Sequence, residues 1–137
     1  IGSLAPAAAA AQPSLIVAKW GGFWNARQPK EWECDKAGTI CLDGLADVRF
    51  VAVQTVSGPK MPSSVVAATV FHTRPRRGVR MLVAISRDDE SNRTGQILYY
   101  VLPGKHEACF DYELARKRGY RIPARAIRHG DNICIPV

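Results

Sequence analysis

Three imidazoles and two clusters of arginine are the residues of this chain whose types could do chemistry. His72, His106 and His129, with a carboxylate such as Asp111, could serve a two-histidine phosphodiesterase site. In such a site one neutral and one charged imidazole act as base and acid. Their spacing does not select that arrangement over three solvated histidines. No G-x-S-x-G, H-E-x-x-H, phosphate-loop or dinucleotide signature occurs in the sequence. The segment His106-Glu107-Ala108-Cys109 carries metal-ligand types, but the cysteines lack the C-x2-C spacing usual for zinc. The expectation is a chain without catalytic residues, cofactor or metal. The alternatives are a secreted hydrolase acting on an anionic substrate and a structural envelope component.

The basic residues are the stronger signal. Lysine and arginine total 19 against 12 acids, a net charge of +7. Arg74, Arg76, Arg77 and Arg80 surround one turn. Arg116, Lys117, Arg118, Arg121, Arg125 and Arg128 follow near the C-terminus, with no acid between Glu113 and Asp131. Arginine outnumbers lysine 13 to 6, and its planar fork suits phosphate and carboxylate. Read functionally, Arg74, Arg76, Arg77, Arg80, Arg116, Lys117, Arg118 and Arg121 are contacts for a polyanion. Read structurally, they are a solvated face. Trp20, Phe23, Trp24 and Trp32 fall near Lys19, Arg27 and Lys30. They are expected to plug one end of the fold, since large aromatics dominate burial. Trp24, beside an asparagine, is the member expected to be exposed. The competing reading is a stacking platform for sugars or bases.

The N-terminal residues set the compartment. Residues 1–14 resemble the tail of a secretory signal peptide, or else a flexible Ala/Pro tail. Ala9-Ala10-Ala11 before Gln12 satisfies the small-x-small cleavage rule. The four cysteines, Cys34, Cys41, Cys109 and Cys134, form an even set that fits two disulfides in an exported chain. Proximity favours Cys34–Cys41, which leaves Cys109–Cys134. The expected location is extracytoplasmic, periplasmic or secreted. Export favours a protein or an anionic glycan of the envelope as partner over nucleic acid. No apolar run reaches the ~20 residues that span a bilayer.

These residues must be positioned by strands. The chain has 137 residues, of which residues 15–137 read as one mainly β domain. Leu15 to Trp24 is an apolar strand bent at Gly21-Gly22. Asp47 to Val56, Ser64 to Thr73 and Arg80 to Arg87 read as a three-stranded meander, with turns at Gly58-Pro59 and Arg74-Pro75. Gln96 to Leu102 is a fourth strong strand of β-branched and aromatic residues. Asp111 to Arg118 is the one helix, with Asp111 as N-cap and Gly119 as left-handed terminator. Tyr120 to Ile127 and Asn132 to Pro136 are expected as closing strands around a His129-Gly130-Asp131 turn. Several strands are apolar on both faces, so both faces must be covered by barrel closure, a helix or another copy of the chain.

The stretch from Asp43 to Arg87 resembles the netrin-module type of OB-fold found in tissue inhibitors of metalloproteases. Ala46-Asp47 opens a long strand, Val56-Ser57-Gly58-Pro59 follows it, and Val65 to Thr73 forms the next. Arg80-Met81-Leu82-Val83-Ala84-Ile85 resembles the family's G-x-x-Y-L-V strand. The resemblance implies a small antiparallel OB-like barrel, secreted and disulfide-bonded. The inhibitors use a cysteine at the mature N-terminus on the target's zinc. Here the expected mature N-terminus is Gln12, so that mechanism does not carry over.

Overall fold

The structure is a computed structural model that describes residues 12–34, 37–38, 44–76, 78–87 and 92–137. Five strands are formed where β-branched and aromatic residues concentrate. They are β1 (Ser14–Arg27), β2 (Gly44–Ser57), β3 (Val65–Phe71), β4 (Arg80–Arg87) and β5 (Arg93–Val101). They close into a barrel in the order β1-β2-β3-β5-β4, with β4 returning to β1. All neighbours are antiparallel except β3 and β5, which meet in parallel over Ala68↔Thr94 and Thr69↔Gly95. This arrangement is mainly β and compatible with an OB-like barrel.

The expected meander is broken. β2 and β3 pair as a hairpin, but β5 lies between β3 and β4. Closure explains the difference. β4 pairs with β1 over Ser14↔Ile85 to Lys19↔Arg80, so its other edge is left for β5. A local hairpin reading cannot see this, because the pairing partner comes from a distant part of the chain.

The apolar strands resolve into two cores by pleat alternation. Ile16, Ala18, Val48, Phe50, Val65, Ala67, Met81, Val83 and Ile85 fill the barrel interior. Leu15, Val17, Leu82, Ala84 and Val101 point the other way, into a second core. That outer face is covered by the C-terminal part of the chain. There β6 (Glu107–Asp111), β8 (Asn132–Pro136) and β7 (Ile127–His129) form a separate three-stranded sheet, in that order. Ala108, Phe110, Ile133 and Ile135 from this sheet, with Ala115 and Tyr120, close the second core. The C-terminal strands therefore do not close the barrel, as the sequence suggested. They roof it. Residues 120–126 are irregular rather than a strand, with Ala126 donating its amide hydrogen bond to Pro123 at 3.0 Å.

The helix α1 (Tyr112–Arg118) forms where its caps predict. The Glu113 amide donates to Asp111 Oδ1 at 2.8 Å, and Gly119 ends the helix at φ 70°. Arg116, Lys117 and Arg118 lie in the last turn, where the helix dipole favours cations. Burial pushes the Tyr120 phenol above its ordinary pKa, with Arg118 acting in the opposite direction. That phenol donates to Gln96 Oε1 at 3.2 Å and ties the roof to the barrel wall.

Cys109 and Cys134 face each other across β6 and β8 and form the expected disulfide. Cys34 is also disulfide-bonded, and its expected partner Cys41 lies outside the described residues. No helix among the described residues is long and apolar enough to cross a membrane. The Cys109–Cys134 bridge closes a loop of sequence separation 25. Its removal by Cys109→Ser with Cys134→Ser is expected to lower the free energy of unfolding by about 3 kcal/mol. A urea titration would read this as a lower midpoint.

Candidate functional site

The bend in β1 organises the aromatic cluster. In its pairing with β2, Trp20 faces Phe50 and Phe23 faces Val48. Gly21 and Gly22 thus oppose Arg49 alone, which makes a β-bulge. Side chains three positions apart normally point to opposite faces of a strand. The extra residue brings Trp20 and Phe23 to the same side, both packed against the barrel interior. Gly22 holds φ 117°, a backbone angle that favours glycine. Gly21 is required for a different reason. A Cβ there would lie 2.7 Å from Val51 Cγ1 and 2.9 Å from the Arg49 carbonyl oxygen. Gly21→Ala is expected to force the strands apart at the bulge and cost about 1–3 kcal/mol. A lowered thermal midpoint together with a shifted tryptophan emission would show it.

The cluster is built edge to face. The Trp20 ring sits 5.1 Å from Phe71 at 76° and 6.0 Å from Phe23. Phe23 meets Phe71 at 5.2 Å and 62°. Arg74, from the loop between β3 and β4, lies over the Phe23 ring at 5.2 Å. Trp20, Phe23 and Arg74 border a groove of ≈ 780 Å³, with Lys19, Val51 and Gly78 also among its walls. Among the described residues that line it none is acidic. Trp24 stands just beyond, 40% exposed, with the Arg49 guanidinium 5.4 Å over its ring. Beside it the Asn25 amide donates to Asp47 Oδ2 at 2.9 Å, which fixes the far end of the bend.

The other basic residues go elsewhere. Arg76 and Arg80 border a different depression with Lys105 and His106, where Arg80 Nη2 donates to the Lys105 carbonyl at 3.1 Å. Arg77 lies outside the described residues. Arg116, Lys117 and Arg121 are exposed on and after α1. Arg118 borders a third depression with Tyr120 and Gln96, at the seam of β3 and β5. Among the described residues, the basic side chains therefore do not form one continuous site around the arginine loop. Arg74 is the one predicted arginine among the described residues that joins the aromatic groove. Arg49 and Phe71 do not stand out as site residues in the sequence, and Lys19 does so only as a neighbour of the aromatics. The position of Lys19 between the apolar β1 core and the glycine bend is what places it at the groove.

The three histidines are exposed, and none lines the groove. His106 sits in the loop before β6, and its carbonyl accepts from the Val137 amide at 2.9 Å. The arrangement defines a small closed barrel with a cationic, aromatic groove on one side and a disulfide-bonded roof on another. No known protein family, curated protein or solved structure matches the chain.

Proposed function

We propose that the chain is a non-catalytic binding domain of an exported protein, and that its groove holds an acidic polymer of the anionic glycan class. The observation that carries this reading is the seating of Arg74 over Phe23 in the same groove as Lys19 and Trp20. A sugar ring offers an apolar C–H face and, when it bears carboxylate or sulfate, an anionic edge. The aromatic rings suit the first, and the guanidinium and ammonium suit the second. Trp24 under Arg49 repeats the same pairing next to the groove and supplies a second place for stacking. The Cys109–Cys134 disulfide and the Ala-rich start support export. The likeness to netrin-module barrels belongs to this reading as a likeness of fold. Titration of the protein with a sulfated glycan, followed by tryptophan emission, tests the proposal. Saturable quenching that weakens with salt supports it, and an unchanged emission with no heat of binding opposes it.

A further inference from the structure

The roof carries a second cluster, independent of the groove. Pleat alternation puts Ala108, Phe110, Ile133 and Ile135 into the core. The residues between them face outward: Glu107 and Cys109 on β6, and Cys134 on β8. Cys134 pairs with Ile127 of β7, so His129, two residues on, shares that outward face. One ligand atom each of Glu107, His129 and Cys134 lies within 4.8 Å of the others. Cys109 is the fourth member, joined to Cys134 by the disulfide. The sequence had placed His106 beside Glu107 as a ligand type. The fold brings His129 there instead.

We propose that the Cys109–Cys134 disulfide closes a latent site for a divalent metal of the zinc class, which forms when the bridge is reduced. Two thiolates, one imidazole and one carboxylate are the donor set of a four-coordinate zinc centre. Such a centre separates its ligand atoms by roughly 3.5 Å, so the observed spacing needs only side-chain adjustment. While the S–S bond stands, neither sulfur is a thiolate, and the cluster offers only imidazole and carboxylate. Reduction adds two electrons and two protons to the disulfide, and a dithiol reductant supplies them as it closes its own disulfide. Metal binding then displaces the two thiol protons to solvent. Glu107 and His129 are exposed and Cys109 is half-buried, while Cys134 is buried beneath them, so reductant and metal approach from the side of Cys109, Glu107 and His129. His129 is held by its turn, where Arg128 Nε donates to the Gly130 carbonyl at 3.0 Å and the Tyr112 amide to the Asp131 carbonyl at 2.8 Å.

The test uses the full chain with Cys34→Ser and Cys41→Ser, so that one cysteine pair remains. It is reduced with a phosphine, which leaves no competing thiol, and titrated anaerobically with cobalt(II) and then zinc(II). The reduced protein is expected to take up one cobalt with thiolate charge-transfer and tetrahedral ligand-field absorption, and to release it to zinc. The oxidised protein should show neither band, and His129→Ala should weaken zinc binding by at least about tenfold. Equal uptake by the oxidised and reduced forms, no uptake, or indifference to His129→Ala would overturn the proposal. If the reduced, metal-free protein unfolds, circular dichroism becomes the readout. Zinc then restores the fold of the parent and not of His129→Ala, and failure to restore the parent counts against the site. If the double serine variant does not fold, the wild-type chain is compared with Cys109→Ser/Cys134→Ser. Loss of one zinc per chain in that variant supports the site, and equal zinc content refutes it.

Discussion

Gly95→Ala is expected to lower the stability of the barrel by about 3 kcal/mol, the upper end of the usual range for an overpacked core. Gly95 pairs with Thr69 at the parallel contact that closes β3 onto β5. A Cβ at Gly95 would stand 2.6 Å from Thr69 Oγ1, 3.3 Å from Ala67 Cβ and 3.4 Å from Phe50 Cε2. Thr69 is fully buried and cannot swing away, because its hydroxyl donates to the Ala67 carbonyl at 2.9 Å. The strands must therefore separate where their pairing is shortest, over two residue pairs. Thr69→Ala removes the clashing oxygen at the cost of about 1 kcal/mol for its hydrogen bond. The double variant Gly95→Ala/Thr69→Ala should thus be more stable than Gly95→Ala alone. A double-mutant cycle from urea midpoints reads this coupling. Additive losses would show that Thr69 does not set the packing limit at the seam.

If the groove binds a sulfated glycan as proposed, Arg74→Ala combined with Lys19→Ala is expected to weaken that binding by about 30-fold, taking about 1 kcal/mol for each exposed cation. The two residues stand on different elements and border the same groove, Lys19 on β1 and Arg74 in the loop after β3. Their loss should also flatten the dependence of affinity on salt, since fewer counterions are exchanged. Arg116→Ala with Lys117→Ala removes the same charge from the exposed face of α1, outside the groove. That pair serves as the control for net charge, and its effect is expected to stay within a few-fold. If both pairs weaken binding equally, the groove has no special role and attraction to the whole surface accounts for the affinity. Trp24→Ala separates stacking from charge, because it removes the ring under Arg49 and leaves both groove cations in place.

The fold was legible wherever its cause is local. The five barrel strands follow from runs such as Leu15 to Ala18 and Arg80 to Ile85, and α1 follows from Asp111 and Gly119. Cys109–Cys134 follows from the closeness of Cys34 and Cys41 in the sequence. Strand order was not legible, because the placement of β5 between β3 and β4 depends on closure between distant segments. β6 was missed because Glu107-Ala108-Cys109 has neither high β propensity nor a long alternation. The need to cover apolar strands on both faces was visible, but its solution, a separate C-terminal sheet, was not. For the groove, the aromatics and Arg74 were legible as types. Their convergence was not, since it depends on the bulge at Gly21-Gly22 bringing Trp20 and Phe23 to one side.

We propose that this groove binds an anionic polymer through Lys19, Arg74 and the rings beside them. Isothermal titration of the wild-type chain and of the Lys19→Ala/Arg74→Ala variant with a sulfated glycan, and with its desulfated counterpart, tests it most directly. Saturable binding of the sulfated polymer by the wild type, weakened by salt and by the paired substitution, is expected, with little binding of the desulfated one. Equal heats from both polymers, or equal affinities for the wild type and the variant, would contradict it.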